Sequence, residues 1–273
     1  MNRLSVGIAG IVFHINFPSK EWCTRVRQQY TAFLTDAPAV WHLDAQYDPA
    51  LTVVRPGWVR NRGEITTFRL LSYKGHIDFR HRRATIATPS IENAASAVDR
   101  VLAYVLMHIL PASRNALLLH GVGLTIQDQG HVFFGPSGAG KTTIAALAAG
   151  WGELFSDENV ILSDGNRQPQ LFSTPFWGQS TPVDLIRRTQ HHAPLRALYG
   201  LRHGPDFHLE QMSSAESVVA LLLTEKIAAD RRESMTAWLA VVERILAAVP
   251  VYTLTFRPTD ELWSFLRSSG AFD

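Results

Sequence analysis

Residues 120–164 read HGVGLTIQDQGHVFFGPSGAGKTTIAALAAGWGELFSDENVILSD, and this stretch decides the fold. Within it, Gly135-Pro136-Ser137-Gly138-Ala139-Gly140-Lys141-Thr142 meets the pattern G-x-x-x-x-G-K-[ST] at every position. Each letter has a physical reason. The glycines let backbone N–H groups turn inward around phosphate oxygens, where a Cβ would obstruct the approach. Lys141 supplies a mobile charge for the β- and γ-phosphates, and the Thr142 hydroxyl is suited to a Mg²⁺ ion. Thr143 continues into a helix whose positive end faces the same phosphates. Gly135 to Thr143 is therefore expected to bind ATP with Mg²⁺.

The flanks agree with this. His131–Phe134 is a short β-prone run, and residues 143–149 read as an Ala-rich helix closed by Gly150. Downstream, Asp157-Glu158 follows sixteen residues after Lys141, between the β-prone runs 153–155 and 160–162. A helix and a return turn consume about that distance, so the first of these runs is expected beside the phosphate-loop strand. Adjacent carboxylates can divide two tasks, one holding Mg²⁺ and the other accepting a proton from an attacking hydroxyl. Which carboxylate does which is left open by the pattern. His120 precedes Gly121 at a strand junction upstream of the loop.

Working outward, 273 residues suffice for two domains. With 46% hydrophobic and 18% charged residues the chain is an ordinary folded protein, and a net charge of +2 is too small to argue for nucleic acid. The one cysteine, Cys23, excludes an internal disulfide and suits a reducing compartment. Arg3 and the apolar run 4–13 lack an A-x-A cleavage site, since His14, Asn16 and Pro18 follow, so the run reads as a buried strand. The apolar runs 101–110 and 218–223 are too short to span a bilayer. These features predict a cytoplasmic protein that does not enter membranes.

Residues 1–112 read as a small α+β domain. A strand is expected over 4–17 and a helix over 21–33, with Trp22, Val26, Tyr30 and Phe33 at helical spacing. Short strands are expected at 39–43, 51–54, 65–71, 75–79 and 84–87, separated by turns at Asp48-Pro49, Pro56-Gly57, 61–63 and Lys74-Gly75. Ser90 is expected to cap a helix with Ala94, Val98, Val101, Leu102, Val105 and Ile109 on its core face, stopped by Pro111. Arg80-His81-Arg82-Arg83, with Arg60, Arg62 and Arg69, reads as a solvated strand end or as a docking surface for an acidic peptide.

Residues 113–273 read as an α/β nucleotide-binding domain. Strands are expected at 117–119 and 122–126, with a turn at Asp128-Gln129-Gly130. Residues 164–212 carry prolines at 169, 175, 182, 194 and 205 and read as long loops with short elements. His191, His192, His203 and His208 read as surface or loop residues. Ser213-x-x-Glu216 is a capping box opening a helix with Val218, Val219, Leu222 and Leu223. A second helix is expected over 235–249, a strand over 251–256 after Pro250, and a last helix over 260–268. The spacings C-x-x-C and H-E-x-x-H are absent, which argues against a structural zinc.

Three segments together carry a family resemblance: residues 119–122, the run from Gly130 through Phe133-Phe134-Gly135 to Thr142, and Ser156-Asp157-Glu158. They resemble the catalytic domain of HPr kinase/phosphorylase, whose nucleotide-binding core is shared with ATP-dependent phosphoenolpyruvate carboxykinase. Residues 173–179, 194–198 and 249–258 are more similar to HPr-kinase-related proteins of peptide-modification systems, including lasso-peptide kinases. The resemblance implies Asp157 as general base toward a serine hydroxyl, Glu158 holding Mg²⁺ with Thr142, and His120 beside the transferred phosphoryl group. The family's Asp-Asp pair is Asp-Glu here. The family's Arg- and Gly-containing phosphorolysis loop is not found near the C-terminus, so neither the reverse reaction nor HPr as substrate is expected. The family favours oligomers, so a homo-oligomer is a further expectation.

The sequence thus predicts an ATP- and Mg²⁺-dependent kinase acting on a hydroxyl, with a Ser or Thr of a peptide or protein as the leading acceptor. A small-metabolite kinase and a nucleotide-dependent peptide-binding module with weak ATPase activity are the alternatives. The leading domain, 1–112, is assigned either acceptor docking or a purely structural role.

Overall fold

The computed structural model describes residues 2–165, 168–178, 189–224 and 232–272. Two compact units divide at Leu106/Met107.

Unit 1 is built on a seven-stranded sheet. Its elements are β1 (Arg3–Ile8), β2 (Ile11–Asn16), α1 (Lys20–Arg27), β3 (Trp41–Tyr47), β4 (Val54–Arg62), β5 (Ile65–Leu71), β6 (Tyr73–Asp78) and β7 (Arg83–Thr88). The strand order is β1-β2-β3-β7-β6-β5-β4. The single strand expected over 4–17 is a hairpin, because Ala9 and Gly10 both take positive φ (47° and 76°) and pair Ile8 with Ile11. Two left-handed residues in sequence make the tight turn whose twist suits a hairpin.

The helix expected over 21–33 ends at Arg27, and Thr31–Phe33 forms a separate 3-10 turn. Trp22, Val26, Tyr30 and Phe33 are nevertheless all buried. The Asp99 carboxylate receives Gln29 Nε2 at 2.5 Å and the Tyr30 hydroxyl, which ties this segment to the next helix.

Several turn signals lie inside strands. Pro56-Gly57 falls within β4, where the register against β5 shifts between Val54 and Trp58. β4 is an end strand, where a proline's missing donor can face solvent. Lys74-Gly75 falls within β6, and a Cβ at Gly75 would lie 2.1 Å from the Thr85 carbonyl oxygen, so that glycine serves close strand packing. Residues 51–53, expected as a strand, precede β4 without joining it.

The long helix α2 (Ala94–Arg114) begins four residues after Ser90 and carries Pro111 inside it. A proline only one turn from a helix end removes one internal hydrogen bond without breaking what precedes it. Leu106 and Leu110 are fully buried, whereas Ile109 is only partly so. Residues 101–110, expected to be too short to span a bilayer, lie inside this longer helix. α2 has 21 residues and contains an 18-residue window with a mean hydropathy of 1.3, enough to cross a membrane by length and composition, though 56% of that window is buried inside the protein.

Unit 2 contains β8 (Ala116–Leu119), β9 (Gly121–Ile126), β10 (Gln129–Phe134), α3 (Lys141–Leu147), β11 (Glu153–Ser156), β12 (Val160–Ser163) and β13 (Gln170–Phe172). There follow β14 (His192–His203), β15 (His208–Gln211), α4 (Ser214–Thr224), α5 (Arg232–Leu246), β16 (Val251–Phe256) and α6 (Glu261–Ser268). A second two-residue turn, Gln127-Asp128 with φ 52° and 61°, joins β9 to β10, one residue earlier than its expected place.

The main correction concerns residues 164–212. Among them β14 is a 12-residue strand at the middle of the nine-stranded sheet, parallel to β10 on one side and to β16 on the other. Pro194 misled the reading. It stands ahead of the parallel pairing, which begins at Gly130↔Leu195. Of the prolines in that stretch, Pro182 lies outside the described residues, as does Gln179 of the 173–179 segment. β11 is also not beside β10: it pairs with β9, one strand further out.

Both faces of this sheet are covered. Ile144 and Ala145 of α3 and Leu262, Trp263 and Leu266 of α6 pack with Val122, Phe133, Tyr199 and Leu254. On the other face Leu221 of α4 and Trp238, Val241 and Ile245 of α5 pack with Val132, Phe134, Leu198 and Val251. Successive residues of β10 thus serve opposite cores, as a period of two requires. Each such fully buried side chain contributes about 1.5–3 kcal/mol. The capping box at α4 forms as expected: Glu216 N–H donates to Ser213 Oγ at 3.3 Å, and Ser213 N–H to Glu216 Oε2 at 2.8 Å. Of the residues named for this helix, Leu223 is 77% exposed, and Ser217, Leu221 and Thr224 make the inward face.

His131 is fully buried among Tyr199 and Phe272. The Tyr199 hydroxyl donates to the Ala271 carbonyl at 3.3 Å, so His131 Nδ1 donates to it at 3.2 Å, and His131 Nε2 has no hydrogen-bond partner among the described residues. Burial lowers the pKa of His131 from 6.5 to about 4. A depressed folded-state pKa means that the unfolded chain binds the extra proton first, so stability falls as the pH drops from 6.5 toward 4. The loss amounts to at most about 3 kcal/mol. His131→Phe should remove this component and move the midpoint of acid unfolding, followed by circular dichroism, to lower pH. An unmoved midpoint would show that His131 is not the group that titrates.

Candidate active site

β10, β14 and β16 run parallel, with Phe134 opposite Gly200 and His203 opposite Phe256, so all three end at one edge of the sheet. Ligands in open α/β sheets bind outside the carboxyl ends of parallel strands. The segment 135–140 leaves β10 at that edge. Gly135, Gly138 and Gly140 take φ of 155°, 84° and 103°. At Gly140 a Cβ would also lie 2.6 Å from Phe256 Cζ and 3.1 Å from His203 Cε1, so only glycine fits.

Ala139 N–H donates to the Pro136 carbonyl at 3.1 Å, closing a turn at the loop's apex. Lys141 opens α3 and is buried; its Nζ donates to the carbonyls of Gly135 (2.6 Å) and Pro136 (3.1 Å). The far end of α3 is held by Trp263 Nε1, which donates to the Leu147 carbonyl at 2.6 Å. The loop is thus fixed from both sides, by the strand it leaves and the helix it enters.

A polar cavity of about 360 Å³ lies over the loop, lined by His120, Ser137, Gly138, Gly140, Lys141, Thr142, Thr143, Asp157, Glu158, Gly178 and His203. Nine of these are residues that sequence reading proposed. Gly135 and Ala139 are buried beneath the loop and Pro136 is exposed on it, and none of the three lines the cavity. Gly178 and His203 were missed. Gly178 belonged to a segment noticed only for its resemblance, and His203 is legible only once β14 is known to end beside the loop.

The acidic pair is held by a small hydrogen-bond hub. Ser156 Oγ, fully buried, donates to the Phe176 carbonyl at 2.5 Å and accepts the N–H groups of Glu158 and Asn159, both at 3.2 Å. Thr174 Oγ1 donates to the Asn159 carbonyl at 2.5 Å and accepts Phe176 N–H at 3.3 Å. Residues 174–178 are thereby laced to the turn, and Gly178 N–H donates to Asp157 Oδ1 at 2.9 Å. Asp157 is buried and Glu158 is partly exposed.

His120 Nδ1 lies 2.7 Å from the Glu158 carbonyl oxygen and 3.8 Å from Glu158 Oε1. A carbonyl only accepts, so Nδ1 carries the proton and the neutral ring keeps its lone pair on Nε2. His203 Nε2 likewise donates to the Gly138 carbonyl at 3.0 Å, and its ring stacks on Phe256 at 5.4 Å. The hard oxygens of Thr142 and Glu158 on one cavity suit Mg²⁺, which keeps phosphate or water oxygens beside one or two protein ligands. Among the described residues no group of three or more His, Cys, Asp or Glu side chains could hold a metal by itself.

No family model matches the chain, and no curated protein does. Among solved structures, the HPr(Ser) kinase/phosphatase from Coxiella burnetii is similar over 56% of this chain and 98% of its own, at 13% sequence identity and a TM-score of 0.33. A likeness of that degree carries no weight for activity.

Ser156→Ala should leave two N–H groups and a carbonyl without their partner in a buried turn. A loss of about 1–3 kcal/mol in denaturant unfolding is expected, because an unsatisfied buried group keeps its desolvation cost. Unfolding free energy within a few tenths of wild type would mean that the hub does not hold the turn.

Proposed function

We propose that the chain is an ATP- and Mg²⁺-dependent kinase of HPr-kinase-like type, transferring the γ-phosphoryl group to a hydroxyl of a peptide or protein. The observation that carries this reading is a single cavity shared by the phosphate loop, the carboxylates of Asp157 and Glu158, and His120. A hydroxyl acceptor has a proton to lose, and of two adjacent carboxylates one can take that proton while the other holds Mg²⁺.

In this reading the loop grips the phosphates, and Lys141 exchanges its carbonyl partners for phosphate oxygens. Asp157, oriented by Gly178 N–H, takes the acceptor's proton as its oxygen bonds to the γ-phosphorus. The bond from that phosphorus to the bridging oxygen breaks, and ADP leaves with the electron pair. His120 Nε2 faces the transfer as an acceptor or, once protonated, as a donor. Thr142 and Glu158 would hold Mg²⁺, which when bound neutralises the charge on the β- and γ-oxygens. A reaction that consumes ATP suits the cytoplasm, and this reading includes that location.

The test uses labelled ATP with separate pools of peptides and small metabolites. Lys141→Ala should abolish nucleotide binding. Asp157→Asn should keep it and lower transfer by about 10²-fold or more. Near-normal transfer by Asp157→Asn would overturn the base assignment. Label on a metabolite would shift the acceptor class, and ATP consumed with no labelled acceptor would favour a nucleotide-driven binding module.

A further inference from the structure

The seven-stranded sheet of unit 1 has two ends, and they differ. β1 is covered, since Thr35 N–H donates to the Ser5 carbonyl at 3.1 Å and Val6 bridges Leu34. β4, at the other end, pairs with β5 alone among the described residues, and seven of its nine positions are exposed. An open strand edge is a template for another strand, and proteins disarm it with prolines, irregular register and charge. β4 uses the first two devices only in its first half, at Pro56 and the register shift that ends at Trp58. From Trp58 to Arg62 it pairs residue for residue with β5, from Arg69 to Ile65.

The side chains on this regular half are distinctive in charge. Trp58, Arg60 and Arg62 alternate onto one face, and the register brings Arg69 and Ile65 to the same face from β5. The Arg60 guanidinium lies 4.7 Å from the centre of the Trp58 ring. Residues 54–74 hold five cationic side chains (Arg55, Arg60, Arg62, Arg69 and Lys74) against one acidic side chain, Glu64. Lys74 is already paired with Asp48, and Arg69 donates to the Thr52 carbonyl at 2.6 Å. Arg60 and Arg62 are exposed at the edge itself.

Charge selects the occupant. A second copy of β4 would set arginines opposite arginines, which destabilises a strand pair. An extended segment with carboxylates at alternate positions would satisfy the edge's backbone groups and present each guanidinium with a bidentate partner. We propose that the edge Trp58–Arg62 receives an acidic, extended peptide segment as an eighth strand of this sheet. The Trp58 ring and Val59, which are 38% and 41% exposed, supply apolar contact on its two sides. This site is independent of the nucleotide cavity, and a peptide would bind it with or without ATP.

The experiment uses the full chain and a short fluorescent peptide alternating Glu with Val. Binding is followed by anisotropy, and the amides of residues 58–62 by hydrogen exchange. The expected result is binding accompanied by slowed exchange at 58–62. It should weaken about tenfold or more in the Arg60→Glu, Arg62→Glu double variant. It should weaken similarly when alternate peptide amides are N-methylated, because strand pairing needs their N–H groups. The milder Arg60→Gln, Arg62→Gln pair serves if the charge reversal lowers the melting temperature. No binding, binding without protection at 58–62, or undiminished binding by either double variant would overturn the proposal. So would a single-stranded oligonucleotide held more tightly at the same residues, which would assign the patch to nucleic acid.

Discussion

The parallel pairing of β10 with β14 is the constraint on which the rest of unit 2 depends. It makes two strands end at one edge, and β16 joins them by pairing parallel to β14. The glycine-rich loop leaves the first strand, His203 ends the second and Phe256 the third. The crowding of Phe256 and His203 against Gly140 follows from this shared edge, and it explains why that position admits no side chain. With α3 and α6 on one face and α4 and α5 on the other, the three strands are buried on both sides. The loop therefore stands on a rigid base.

The carboxylates reach the same edge by a different route. β11 is antiparallel to β9, so the turn after Ser156 returns toward the start of β9, where Gly121 N–H donates to the Glu158 carbonyl at 3.2 Å. His120, one residue earlier, meets the same carbonyl through Nδ1. One backbone oxygen thus organises the histidine and the second carboxylate together. Ser156 and Thr174 then fix the segment that brings Gly178 to Asp157. A largely buried polar network of this kind rewards completeness, since each missing partner leaves a desolvated group behind.

Much of this was legible from local pattern. The glycine-rich loop, the helix after it, the capping box at Ser213 and the acidic pair all have signals within a few residues. What escaped depends on distant partners. Ala9-Gly10 turns a continuous apolar run into a hairpin, which only backbone φ values reveal. Pro194 disguised the central strand β14, because a proline's effect depends on whether its N–H would have been used. Pro111 failed to stop α2 for a similar reason, being one turn from the helix end. His203 became a site residue only because β14 exists. Gly178 reached Asp157 only through the packing of 174–178, which no spacing rule encodes.

We assign the loop, the carboxylate pair and His120 to one proposed site for transfer of a phosphoryl group. The most direct measurement is a crystal structure of the chain with Mg²⁺ and a non-hydrolysable ATP analogue. The β- and γ-phosphates should lie inside the loop, with Lys141 Nζ moved from the Gly135 carbonyl onto their oxygens. Mg²⁺ should contact Thr142 and one carboxylate, and Asp157 and His120 should face the γ-phosphate. A nucleotide bound elsewhere, or one whose γ-phosphate points away from Asp157, would contradict it.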